Sequence, residues 1–302
     1  MVDAVGSAMG MRPNAIDRAE TMLKQWPYGG DMKINALGPL TVVDNTGRLL
    51  STVPKPRRVL ALLVTHADQV VPTSMLLREL WGTDLPRTAM TTLQTYIGQL
   101  RRTLATATDT DVATVTAQML RTETGGYELS SAGISIDLLH FFRLQEAGKA
   151  ALRAGNDREG IRLLREALAL WQGPPLVNVE PGPLLEAQVL RLEESRLCTL
   201  EQRLVAELRL GEHQVLVSEL VELTTIRPLH ESLHAHLMVA LYRCGRRSEA
   251  LAVFHKLRHT LITDLGLEPS GELLRLQHAI LTADPALNLT ERTIELLHPR
   301  AA

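Results

Sequence analysis

The spacing of apolar residues along the chain changes twice. From Met32 to Val53 they come in short runs: Ile34, Leu37, Leu40, Val42 and Val43, then Leu49–Val53. Gly38–Pro39 and the turn signal Asp44–Asn45–Thr46–Gly47 break these runs. This pattern predicts a small antiparallel sheet. Helical spacing follows. Val59, Leu60, Leu63 and Val64 predict a helix over about Pro56–His66, opened by Pro56, whose missing N–H costs nothing in a first turn. Thr73 suits an N-cap for a short helix, Ser74–Trp81, that Gly82 ends. A loop, Thr83–Pro86, leads to a third helix over about Arg87–Ala105. The Thr/Ala/Asp-rich residues 106–114 come next. Val115–Arg121 and Tyr127–Leu129 are strand-like, and Thr124–Gly125–Gly126 joins them into a hairpin beside the third helix.

The second change falls at Ile136. From there to about Leu281 helical spacing is sustained over 138–154, 159–171, 183–210, 214–226, 232–244, 247–263 and 271–281. Arg203-Leu-Val-Ala-Glu-Leu-Arg-Leu-Gly211 resembles Leu237-Met-Val-Ala-Leu-Tyr-Arg-Cys-Gly245. The two glycines stand one tetratricopeptide period apart, about 34 residues. Ala147–Gly155, with Glu159–Gly160 and Leu163–Leu164, suggests a third copy. Each copy reads as helix, tight glycine turn, helix, and must stack on neighbours to bury its apolar face. The fold class is therefore an α+β winged helix-turn-helix domain followed by an all-α tetratricopeptide-like repeat domain. The expected division is a disordered or short helical leader over 1–31, the winged helix over 32–130, the helical domain over 136–282 and a tail over 283–302. A frayed helix over Thr290–Leu297 is expected in that tail.

On the third helix Met90, Leu93, Ile97, Leu100 and Leu104 form one stripe, expected to face the core. The opposite face carries Thr91, Thr92, Thr95, Gly98, Gln99 and Arg102, with Gln94 and Arg101 at one flank. It is polar, small in its middle and cationic toward its C-terminal end. Gln pairs with adenine, Thr touches a thymine methyl, and Arg takes guanine or phosphate, so such a face suits a major groove. Thr91, Thr92, Thr95, Gln99 and Arg102 are the candidate base readers. Composition alone would make this a solvated face; the order of sheet, three helices and hairpin raises the DNA reading above that.

Charge adds little. The net charge is −2, with ten Lys/Arg against eight Asp/Glu over 33–130 and nineteen against twenty-two over 131–302. Aromatic residues are 3% of the chain, and Leu and Ala suit helices. Cys198 and Cys244 fall inside helical patterns and point to a reduced, cytoplasmic setting. The apolar runs are far below a membrane span, and no signal-peptide h-region is present.

His230-Glu231-Ser-Leu-His234 matches the HExxH pattern of zinc peptidases, and a zinc hydrolase would carry near-stoichiometric zinc. Pro228 and Glu231, however, suit a helix N-terminus, and no further ligand with the right arrangement follows. No metal, no cofactor and no enzymatic activity are expected. No GxxxxGK[ST] loop occurs, and no receiver domain precedes the winged helix. Trp171–Pro175 reads as a helix stop packed by an indole.

Several stretches stand out in order along the chain: Leu37-Gly-Pro-Leu40, Lys55-Pro-Arg-Arg-Val-Leu-Ala-Leu-Leu63, Leu80-Trp-Gly82, Thr92-Leu-Gln-Thr-Tyr-Ile97 and Leu100-Arg-Arg102. In the second domain they include Leu168-Ala-Leu-Trp-Gln-Gly-Pro-Pro-Leu176, Leu192-Glu-Glu194, Leu237–Arg243, Glu249-Ala-Leu251 and Asp264-Leu-Gly-Leu-Glu-Pro269. By these stretches residues 32–282 resemble the Streptomyces antibiotic regulatory protein family, activators built from an OmpR-type winged helix and a bacterial transcriptional activation domain. The resemblance implies a sequence-specific activator of antibiotic or secondary-metabolite genes that binds promoter direct repeats as two copies and recruits RNA polymerase. It implies phosphate contacts from Lys55, Arg57, Arg58, Trp81, Arg101, Arg121 and Thr122. It also implies polymerase contact, near the sigma factor, from Thr83, Asp84 and Leu85. The hairpin Arg121–Tyr127 should reach toward the minor groove, although Glu123 stands where family wings often carry a basic residue. The alternative is a repeat scaffold or ligand-responsive regulator with weak DNA binding.

Overall fold

The computed structural model describes residues 32–288. The expected leader over 1–31 and tail helix over Thr290–Leu297 lie outside the described residues. The described chain forms two compact units. One holds residues 32–139 with 171–191, the other 140–170 with 192–288. Residues 131–139 and 171–191 thus pack with the N-terminal residues.

The first unit carries two sheets. The strands β1 (Met32–Asn35), β2 (Thr41–Val43), β3 (Leu49–Leu50) and β7 (Ile134–Ile136) form one in the order β3-β2-β1-β7. β1 pairs antiparallel with β2, Ile34 opposite Val42, as the alternation predicts. β7 pairs parallel with β1, Met32 opposite Ile134, so the sheet is mixed rather than wholly antiparallel. Its three residues, Ile134-Ser-Ile136, are all buried and too few to show a strand period in the sequence. The second sheet joins β4 (Val70–Pro72), β6 (Gly126–Leu129) and β5 (Leu120–Glu123) in the order β4-β6-β5. Its turn requires the glycine pair. Gly125 has φ 81°, and a Cβ on Gly126 would stand 2.3 Å from the Val71 carbonyl oxygen.

Four helices fill the space around these sheets: α1 (Pro54–Thr65), α2 (Thr73–Trp81), α3 (Ala89–Thr108) and α4 (Val112–Gln118). α1 buries Val59 through Val64 without interruption. α2 starts at Thr73 itself, after Pro72, and Thr73 makes no side-chain cap bond. α3 is longer than expected and ends where Asp109 turns left-handed, at φ 52°. Val115–Gln118, expected as strand, is the second half of α4. The Asp111 carboxylate caps that helix by accepting the Thr114 N–H at 2.9 Å, and Val115 is buried beneath it. A strong cap and one buried anchor outweigh the small β preference of Val and Thr.

Residues 171–191 return to the first sheet. The Gln172 N–H donates to the Leu37 carbonyl at 2.7 Å, and the Leu176 N–H to Ala36 at 3.1 Å. The Asn178 amide makes both bonds of a strand-like bridge with Leu40, accepting its N–H at 2.7 Å and donating to its carbonyl at 3.1 Å. Trp171 and Leu176 are buried there, so the segment after the helix stop is a packed part of this unit.

The second unit is built from helix pairs: α5 (Asp137–Arg153) with α6 (Asp157–Ala169), α7 (Pro183–Leu210) with α8 (His213–Ile226), and α9 (Glu231–Arg243) with α10 (Arg247–Leu265), followed by α11 (Gly271–Thr282). Gly155, Gly211 and Gly245, which open the three turns, all have positive φ (76°, 88° and 76°), a conformation that only glycine adopts without steric cost. α5 and α6 approach closely at Gly148 and Gly160, where a Cβ would meet Leu164 or Leu152 at under 3 Å. α9 is the central helix, buried from Leu233 through Leu241. Being apolar nearly all round, it shows how a repeat stacked on both sides reads in sequence.

Candidate nucleic-acid interface

α3 turns one face inward. Leu93, Ile97, Leu100 and Leu104 are at most 2% exposed, held against the core by burial worth roughly 1.5–3 kcal/mol for each such side chain. Met90, expected on this stripe, is 47% exposed. In the first turn the core covers Ala89 instead, which is 5% exposed.

At about 100° per residue, Thr91, Gln94, Thr95, Gly98 and Arg102 fall within about a third of the outer circumference. Thr91, Gln94, Thr95 and Arg102 are all exposed. Gln94 stands at one end of this arc, on the flank, while Thr92 and Gln99 lie beyond its other end and are half-buried. Gln99 and Arg102 line a groove of about 280 Å³ together with Ser51, Thr52 and Val53, where α1 begins.

The basic residues divide into two groups. Four are occupied within the unit. The Arg57 guanidinium donates to the Thr52 hydroxyl at 3.0 Å and to the Asn178 carbonyl at 3.1 Å. Arg58 pairs with Glu180 at 2.9 Å. Arg101 donates to the Leu120 carbonyl from two nitrogens, at 3.0 and 2.9 Å, and to the Thr122 hydroxyl at 2.8 Å. Partial burial holds its guanidinium below the usual value. Arg121 pairs with Glu128 at 2.5 Å and lies 3.8 Å from Glu123, so the wing's cation is balanced by its own strands.

Lys55, Arg78, Arg87 and Arg102 are exposed and make no side-chain hydrogen bond or ion pair among the described residues. Arg78 and Arg87, absent from the sequence-derived candidates, flank the loop before α3. Trp81 is half-buried at the end of α2, Thr122 is exposed, and the loop residues Thr83, Asp84 and Leu85 are all exposed, Leu85 at 53%.

A buried carboxylate anchors the helix before this loop. Glu79 on α2 is 1% exposed. It accepts the N–H groups of Gly182 at 2.5 Å, Leu184 at 2.9 Å and Leu185 at 3.1 Å. These are the orphan donors at the start of α7, and a carboxylate there also complements the helix dipole. No sequence rule signals a cap contributed from a hundred residues away.

The HExxH residues are used structurally. Glu231 accepts the Ser270 N–H at 2.8 Å, and the His234 ring meets the Pro228 carbonyl at 3.1 Å. Among the described residues no group of three or more His, Cys, Asp or Glu is placed to hold a metal ion.

Comparison with known proteins gives this arrangement its context. Residues 47–119 match the family described as transcriptional regulatory protein, C terminal, and residues 136–281 match the bacterial transcriptional activator domain. The regulatory protein DnrI of Streptomyces peucetius is 46% identical over 85% of this chain and 94% of its own length. The chain belongs to the Streptomyces antibiotic regulatory protein family.

The family acts on transcription and is not enzymatic, and this member is a transcriptional regulator whose partner is promoter DNA. The transcriptional regulator RedD of Streptomyces coelicolor is 33% identical over 94% of this chain and 79% of its own length. AfsR of Streptomyces griseus is 37% identical over 85% of this chain, which matches only 25% of that larger protein. Among solved structures, Mycobacterium tuberculosis EmbR in complex with a low-affinity phosphopeptide superposes with a TM-score of 0.78 at 30% identity, over 88% of this chain and 69% of that one. No described helix is long and apolar enough to cross a membrane.

Proposed function

We propose that this regulator activates genes of an antibiotic or other secondary-metabolite pathway in the cytoplasm, binding promoter direct repeats as two copies side by side. One observation carries the reading: α3 presents Thr91, Gln94, Thr95 and Arg102 outward on one face while its opposite face is buried. In the proposed complex these four side chains, with Thr92 and Gln99 at the edge, contact bases in the major groove. Lys55, Arg78, Arg87, Trp81 and Thr122 surround them and contact phosphates. Arg57, Arg58, Arg101 and Arg121 act chiefly by holding the reading helix, α1 and the wing in place, because their guanidinium groups already have partners.

The exposed loop Thr83–Leu85 contacts RNA polymerase in this scheme. Its exposed apolar Leu85 beside Asp84 supports a protein partner, since an anion there would not favour phosphate. Gel shifts on the promoters flanking the protein's own gene, run with Gln94→Ala, Gln99→Ala and Arg102→Ala, test the DNA half. A specific shift weakened by Gln94→Ala and Arg102→Ala is expected. Run-off transcription with Leu85→Ser tests the polymerase half. The variant should shift DNA normally and activate poorly, and normal activation would remove the loop from the scheme.

A further inference from the structure

α3 has a different neighbour on each flank. Arg101, on one, is bonded to β5 of the wing hairpin. Gln99 and Thr103, on the other, line the groove of about 280 Å³ whose far wall is the chain leading into α1: Ser51, Thr52, Val53 and Pro56. A helix with its side chains is about 10–12 Å across, and a major groove is about 12 Å wide. A helix seated there fills it, so one sugar–phosphate backbone passes along each flank. The strand on the wing side meets β5. The other strand meets the wall Ser51–Val53.

The chemistry of that wall suits a nucleic-acid backbone. Ser51 is exposed, and its hydroxyl makes no hydrogen bond among the described residues. Val53 lines the groove and is 57% exposed, an open apolar surface beside these polar groups. Lys55 follows, exposed and without an ion pair among the described residues. No acidic residue stands in the first turn of α1, where helices favour one. The wall is also held in place before any DNA arrives. Arg57 donates to the hydroxyl of Thr52 at 3.0 Å and to its carbonyl, which fixes the residues on either side. A preformed wall loses little freedom on binding.

We infer that this groove seats the backbone of one promoter strand. The Ser51 hydroxyl donates to a phosphate oxygen, the Lys55 ammonium stands beside a phosphate, and the Val53 side chain lies against an adjoining deoxyribose. Ser51 and Val53 thereby contribute affinity and register, and carry no sequence information. The inference rests on the reading that α3 enters the major groove.

Equilibrium anisotropy of the full chain on the promoter of its own gene and on a scrambled duplex tests this, with Ser51→Ala and Val53→Asp. Ser51→Ala should weaken both duplexes alike, about fivefold. Val53→Asp should weaken both about tenfold or more, because it sets an anion against the phosphates. Val53 is the N-cap of α1, and Asp is a favoured N-cap, so the thermal midpoint should hold or rise and unfolding cannot explain the loss. A promoter series with one uncharged methylphosphonate at a time should contain a position that weakens the unaltered chain and no longer matters to Ser51→Ala. Unchanged binding by Val53→Asp, a Ser51→Ala loss confined to the promoter, or a series without such a position would overturn the inference. Failure of sequence reading by α3 shows differently, as equal affinity of the unaltered chain for the two duplexes.

Discussion

The guanidinium of Arg101 on the reading helix donates twice to the backbone carbonyl of Leu120, the first residue of the wing hairpin. With its third bond, to the Thr122 hydroxyl, it ties α3 to β5. Its neighbour Arg102 is exposed and makes no such bond. Two adjacent arginines thus have separate tasks, one holding the interface together and one facing outward.

That division predicts opposite phenotypes. Arg101→Gln should cost about 1–2 kcal/mol of stability, lowering the thermal midpoint by several degrees. It should weaken DNA binding to all sequences alike. Arg102→Gln should leave the thermal midpoint within about a degree and weaken specific binding. Calorimetry and anisotropy on both variants check this, and equal midpoints for the two would refute the separate roles.

Glu79 supplies a second prediction. Its carboxylate satisfies three N–H groups in a buried setting, and an amide of the same shape keeps one acceptor oxygen and adds a donor where none is wanted. Glu79→Gln should cost about 2–3 kcal/mol, seen as a lower urea midpoint at unchanged m-value. Glu79→Asp retains the charge but falls short of α7 and should rescue only partly. A Glu79→Gln midpoint equal to that of the unaltered protein would show that the three bonds contribute nothing net.

Asp137 carries the pH prediction. It is fully buried and accepts the N–H groups of Ala36, Leu37 and Leu138. Burial pushes its carboxyl up to about 7, against the opposing pull of those bonds. The folded protein then holds this proton more tightly than the unfolded chain, whose aspartate titrates near 4. Its contribution to stability is present at low pH, falls as pH rises from about 4 to about 7, and is constant above that. The slope is at most about 1.4 kcal/mol per pH unit. Urea unfolding at about pH 5 and pH 8 should show the unaltered protein losing more stability over that interval than Asp137→Asn. Parallel losses would contradict the shifted carboxyl.

Much of this was legible in the sequence wherever a periodic pattern or a glycine reports directly on local geometry. The inner stripe Leu93–Leu104, the wing turn at Gly125–Gly126 and the glycines Gly155, Gly211 and Gly245 all stand where their spacing put them. The misses share a physical cause. Val115–Gln118 has strand propensity, but a cap at Asp111 and the burial of Val115 make it helical. Met90 fits the helical period, but in the first turn of α3 it is Ala89 that the core covers. β7, Ile134-Ser-Ile136, is too short for its alternation to register as a strand. Glu79, Asn178 and Asp137 act across about a hundred residues of sequence, and nothing local marks a carboxylate as the cap of a distant backbone.

Within the interface, the sequence identified cations without showing which already had partners. Arg57, Arg58, Arg101 and Arg121 were indistinguishable from Lys55 and Arg102 until Thr52, Glu180, Leu120 and Glu128 were found beside them. Arg78 and Arg87, lying outside the resemblance motifs, gave no signal beyond their charge.

The most direct test of sequence reading through α3 is equilibrium anisotropy on the promoter of the protein's own gene and on a scrambled duplex, across a salt series, for the unaltered chain, Gln94→Ala and Arg102→Ala. The account predicts binding to the promoter about 10³-fold or more above the scrambled duplex at physiological salt. It predicts a steep salt dependence, and a loss of discrimination in Arg102→Ala, whose guanidinium is assigned to a base. Gln94→Ala should lose discrimination while keeping the slope. Equal affinity for both duplexes, or promoter binding untouched by either substitution, would contradict it.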